Sequence, residues 1–207
     1  SLKTFTPIVI AAVVSSATTQ GLLGDAALFD VGDNFFHEGL QFSITQIPVY
    51  LVLGLVCGLL GAIFIKTLDY TERAFVATKL PIMARPFVGA IVLGIIGITA
   101  YTLSGSQALP EFYGNGYPVI KTLLDPTTYF ANAETGELQN AMPFLSGLIL
   151  LALVKLVATC VTVGSGGAGG LFAPSLLIGA ASGGCIGFAV HYFGWFPETS
   201  PAYFALV

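Results

Sequence analysis

Gly164-Ser165-Gly166-Gly167-Ala168-Gly169-Gly170-Leu171-Phe172-Ala173-Pro174 is the stretch that decides how this chain folds. It interrupts a run, 156–197, that holds no Asp, Glu, Lys or Arg. A single helix needs only about 20 apolar residues to cross a bilayer. A run of that length must be divided, and the glycines divide it. A glycine-rich break followed by Pro174 predicts extended backbone and then the first turn of a new helix. The opening N–H groups of that helix have no partner within it. They carry partial positive charge and form a ready anion site.

The rest of the chain agrees with a membrane setting. Of 207 residues, 55% are hydrophobic and only 9% charged, with a mean hydropathy of +0.87. Soluble domains carry about 25% charged residues. The length suits about five or six membrane elements without a large soluble domain in addition. No basic stripe exists, so nucleic acid is not an expected partner. The chain starts at Ser1 and stops at Val207 just as a new apolar stretch, 202–207, begins, so it reads as a piece of something longer. The first apolar segment is too long for a signal h-region and has only Lys3 as an n-region. Cys57, Cys160 and Cys185 lie in apolar segments with no CxxC pair, and are expected as small buried hydrophobes rather than a disulfide framework or a metal site.

All-round apolarity predicts spans over 4–23, 47–65, 86–103, 142–163 and 172–193. The linkers set their orientation. The 24–46 linker holds Asp25, Asp30, Asp33 and Glu38 and no Lys or Arg. The 66–85 linker holds Lys66, Arg73, Lys79 and Arg85, and the 110–141 linker has four acids against Lys121 alone. The positive-inside rule puts 66–85 in the cytoplasm and the other two outside. Lys66 closes the second span, where it can snorkel. Tyr70 and Arg73 continue its helical pattern, so that helix is expected to be long and tilted. Gly114-Asn115-Gly116-Tyr117-Pro118 makes the third linker turn-rich. Gly54-x-x-x-Gly58 and Gly179-x-x-x-Gly183 permit close helix approach and are read as packing.

Bare backbone at membrane depth is tolerated only where protein buries it or a cavity meets it. The amides of Leu171, Phe172 and Ala173 could face an ion there, while Gly164, Ser165, Gly166, Gly169, Gly170 and Pro174 shape the loop. The motif has no cationic side chain, which suits an anion that must leave again. Packing alone is the competing reading of the same glycines. Lys155 is the one formal charge between Leu138 and Pro197, and an intramembrane charge is functional by default. It raises the local potential for anions, pairs with a carboxylate elsewhere, snorkels, or caps a carbonyl. Ser165 and His191 raise the alternative of an intramembrane serine hydrolase, but His191 belongs to the far end of the last span. His37 and Glu38 are expected in a solvated outer loop.

Residues 164–174 match the GSGxxGGxFxP signature, and here the sequence resembles the CLC family of chloride channels and proton-coupled chloride exchangers. The following residues, 175–184, fit as well, as does Lys155 at a position where the family often carries a basic residue. The 114–117 turn resembles the loop before the family's helix L, and the order of spans resembles helices I to N with the start of O. The resemblance implies an all-α polytopic membrane fold of two inverted repeats with broken, re-entrant helices. It places the end of the first repeat at 1–45 and an incomplete second repeat at 46–207. It also implies a homodimer with one pore per subunit, with the first span at the dimer interface.

By the same resemblance, chloride rests near the midplane on the amides of Leu171 and Phe172, with Ala173 toward an outer site. Gly170 lets the backbone turn, and the Phe172 side chain lines the pathway. No GSGIP segment and no GREGP or GKEGP segment occurs, so the gating glutamate and half of the ion site are expected outside this sequence. The expectation is therefore anion transport across an inner or plasma membrane by a channel or a proton-coupled antiporter. Chloride is the transported ion, protons and the lipid bilayer are the further partners, and no cofactor, metal or covalent catalysis is implied. Another broken-helix transporter shares this physics. Its discriminator is ion identity, because cations need carbonyls or carboxylates.

Overall fold

The computed structural model describes residues 2–24, 44–104, 111–132, 137–196 and 199–207. Among the described residues the regular structure is helical apart from one short ladder. Helix α1 is Leu2–Leu23, α2 Ile47–Ala77, α3 Arg85–Ser104, α4 Tyr117–Leu124, α5 Ala141–Gly164, α6 Phe172–Tyr192 and α7 Ala202–Leu206. Five of them, α1, α2, α3, α5 and α6, are long and apolar enough to cross a membrane. These coincide with the five predicted spans.

Two linkers hold regular structure of their own. Residues 66–77 are the last turns of α2, which runs 31 residues from a start with proline in its first turn. The predicted long helix is present, and the 66–85 linker shrinks to a turn at 78–84 in which Lys79 adopts a left-handed φ of 55°. An exposed Arg73–Asp69 pair, 2.9 Å apart and one helical turn apart in sequence, supports the extension by a few tenths of a kcal/mol. The described parts of the turn-rich 110–141 stretch hold a short helix, a 3₁₀ segment and a small ladder. Left-handed Gly116 opens α4, which buries Ile120, Leu123 and Leu124. The Asp125 carboxylate accepts from the Thr127 N–H at 2.9 Å and turns the chain into a 3₁₀ segment, Pro126–Tyr129. Two short strands follow, β1 Phe130–Asn132 and β2 Glu137–Leu138, paired antiparallel with Phe130 opposite Leu138. Tyr129 is wholly buried, and its hydroxyl donates to the Leu123 carbonyl at 2.8 Å. Apolar side chains spaced for one helical face draw this helix inward, while Glu111, Asp125 and Glu137 stay exposed.

Helix α6 is the centre. Over half of its apolar window is buried, against none of that of α1. Its Leu177, Ile178 and Ala181 pack with Leu148, Leu156 and Cys160 of α5 and with Ile120 and Leu123 of α4. Its glycines let neighbouring segments approach closely. A Cβ at Gly183 would strike the Phe204 carbonyl, one at Gly184 would lie 2.6 Å from the Tyr129 hydroxyl, and one at Gly187 would lie 2.5 Å from the Pro201 carbonyl. The packing reading therefore holds at Gly183, whereas Gly54, Gly58 and Gly179 have nothing within 4 Å. Cys160 is buried, Cys57 and Cys185 are half-buried, and all three are free thiols.

Candidate anion site

Helix α5 ends in two capping bonds. The Gly166 N–H donates to Val163 O at 2.9 Å and the Gly167 N–H to Thr162 O at 3.0 Å. This double cap needs a left-handed residue, and Gly166 supplies it with φ 88°. The turn is thus made at Gly166. The chain bends again at Leu171, where Gly170 keeps an ordinary φ and a Cβ on it would meet nothing within 4 Å. Gly164 has a different task. A Cβ on it would lie 2.9 Å from Thr71 Cγ2 and 3.1 Å from the Glu72 N of α2. Ser165 is buried, and its Oγ donates to Thr162 O at 3.0 Å. Gly89 of α3 presses on it so closely that a Cβ there would strike the Ser165 side chain.

Residues 167–170 have no regular structure, and α6 starts at Phe172 with Leu171 as its N-cap. Its first capping bond runs from the Ser175 N–H to Leu171 O at 3.1 Å. Pro174 has no N–H to offer. Among the described residues, no backbone carbonyl accepts from the amides of Leu171, Phe172 or Ala173. These are the donors that the break was expected to free. They are not packed away. Residues 168–170 are exposed, and so are Leu171 at 40% and Phe172 at 70%, while Ala173 is half-buried and Pro174 buried beneath them. Behind the first turn, Ser175, Ile178, Gly179 and Ser182 line a cavity of about 130 Å³ with Cys57, Leu60, Gly61 and Phe64 of α2. The close approach of Gly164 to Thr71 and Glu72 sets the start of the break beside the charged end of α2.

The Lys155 head is held by backbone carbonyls. It is 3% exposed, and its Nζ donates to Phe112 O at 2.9 Å and Gly114 O at 2.7 Å. Of the roles open to it, carbonyl capping is the one the fold adopts, about 14 Å along α5 from Gly164 at 1.5 Å per residue. No carboxylate pairs with it among the described residues. Its partners lie 41 and 43 residues away in the chain, so no local pattern could have announced the contact. Ser165 and His191 are separated by the whole length of α6, 21 residues or about 30 Å. The His191 Nδ1 lies 3.2 Å from Thr199 O instead, so no serine–histidine pair forms. His37 and Glu38 lie outside the described residues.

The chain matches the family described as voltage gated chloride channel over residues 1–207. It is 32% identical over 184 residues to the chloride channel protein CLC-f of Arabidopsis thaliana, covering 87% of this chain and 20% of that one. A putative chloride channel protein ClcB-like of Ralstonia nicotianae is 29% identical, over 91% of this chain and 37% of its own. The voltage-gated ClC-type chloride channel ClcB of Citrobacter koseri is 29% identical over 88% and 37%. The chain thus spans a fifth to under two fifths of these curated relatives. No solved structure matches. With the signature break, the freed amides and a match running from end to end, this all-helical membrane chain belongs to the voltage gated chloride channel (CLC) family.

Proposed function

We propose that this chain is the part of a CLC protein that supplies one wall of its chloride pathway. The N–H groups of Leu171, Phe172 and Ala173 solvate the ion. One observation carries this reading: among the described residues, the amides of Leu171, Phe172 and Ala173 at the start of α6 have no carbonyl partner. A hydrogen bond to a charged group contributes about 1.5–3 kcal/mol net, so two or three such amides together contribute about 3–9 kcal/mol toward holding the ion. Donors without acceptors favour an anion over a cation, which disfavours a cation-carrying relative of the same geometry. The ion is released again because no fixed cation touches it. Nothing is covalently changed. Residues 1–45 end the first repeat and 46–207 belong to the second. The uncovered α1 is the part offered to the partner of a homodimer in an inner or plasma membrane.

The test is chloride flux from liposomes holding the full-length protein, with and without a pH gradient, together with halide-soaked crystals. Flux should be sensitive to Phe172→Glu, and halide density should lie beside 171–173. Unchanged flux in a folded Phe172→Glu protein, with no halide at those amides, refutes the reading. A chloride-driven proton movement identifies an exchanger, and its absence a channel.

A further inference from the structure

The Lys155 contact is unusual for what it joins. A buried ammonium without a carboxylate is strongly unfavourable unless dipoles replace its water. Here two carbonyls from residues 112 and 114 do so, at 2.9 and 2.7 Å. Left-handed φ at Gly114 and Gly116, 70° and 80°, bend this short segment around the lysine head. The same segment is tied elsewhere. The Tyr113 hydroxyl donates to Leu93 O of α3 at 2.7 Å, and its ring occupies the notch left by Gly97, where a Cβ would strike it. Phe112 is buried and packs on the Tyr113 ring, centroids 4.5 Å apart. A Cβ at Gly116 would lie 2.9 Å from Leu177 Cδ2. Leu177 is fully buried in α6, little more than one turn beyond Phe172. Residues 112–116 are therefore a strap that gathers α3, α5 and α6, with Lys155 as its central fastening.

We infer that Lys155 is a positioning residue for the anion pathway: it locks the strap, and the strap holds the start of α6 and its amides in register with α5. This rests on the transport reading above. Lys155 works through the backbone it grips and not by contact with the ion. Tyr113 fastens the same strap without carrying charge, so the two should act alike.

The test uses full-length protein in liposomes and compares Lys155→Met, Tyr113→Phe and the double variant. Hydrogen exchange of residues 111–117 is measured alongside chloride flux against chloride concentration. Both single variants should speed exchange in the strap. Both should also shift half-saturating chloride or the chloride-to-nitrate preference in the same direction, by between about twofold and thirtyfold. The double variant should fall short of the product of the singles. If Lys155→Met alters transport while Tyr113→Phe frees the strap without altering it, the lysine acts through its charge and the positioning role is overturned. Unchanged exchange in Lys155→Met overturns it as well. Absence of chloride flux in the wild type would strike the transport reading, while strap exchange still reports whether Lys155 is the fastening.

Discussion

Three glycines of the signature should separate into folding and transport roles when each is replaced by alanine. At Gly164 the added methyl meets Thr71 at 2.9 Å and the backbone of Glu72 at 3.1 Å. Forcing two helices apart costs about 1–3 kcal/mol. At Gly166 there is open space but φ is 88°. A left-handed non-glycine residue costs about 1–2 kcal/mol, partly offset by a stiffer unfolded chain. At Gly170 neither penalty exists, because nothing lies within 4 Å and φ is ordinary. That replacement should leave stability unchanged or raise it by up to about 1 kcal/mol. Its methyl, however, stands beside the Leu171 amide. Keeping an ion off one charged hydrogen bond loses about 1.5 kcal/mol, roughly tenfold in chloride affinity. Melting temperature of the full-length protein in detergent should therefore fall for Gly164→Ala, fall less for Gly166→Ala and hold for Gly170→Ala. Half-saturating chloride should rise about tenfold in the last. A Gly170→Ala protein that melts as early as Gly164→Ala would refute the steric argument. One that folds normally and keeps its chloride response would refute the amide site.

Gly187→Ala should lower the melting temperature through contact with Pro201 and Phe204, while Gly179→Ala, with nothing within 4 Å, should not. Tyr129→Phe should lower stability by about 1 kcal/mol, since the Leu123 carbonyl loses its donor. Burial holds the Tyr129 phenol protonated well above its ordinary value of 10.0. Its contribution is therefore complete below that pH and falls as pH climbs past it. Melting curves between pH 9 and 11 should show that slope in the wild type and less of it in Tyr129→Phe. A serine-reactive fluorophosphonate should not label Ser165, which is buried and hydrogen-bonded to Thr162 O. Labelling would reopen the hydrolase reading.

The five spans, the long second helix and the glycine break were all legible in the sequence. Membrane helices are recognised by uninterrupted apolarity, and a helix start after glycine frees its own amides by the geometry of the i→i−4 bond alone. Those properties are local, so residues 156–174 were enough to announce a helix start with donors to spare. The tertiary structure decided what distance along the chain conceals. It made Gly166 the left-handed residue that ends α5 and set Ile120, Leu123 and Leu124 of α4 in the core. It also gave Lys155 two carbonyls in place of an ion. Each choice depends on which remote surface arrives beside a residue, because burial and the demand to satisfy every buried polar group are properties of the packed assembly and not of the neighbouring sequence.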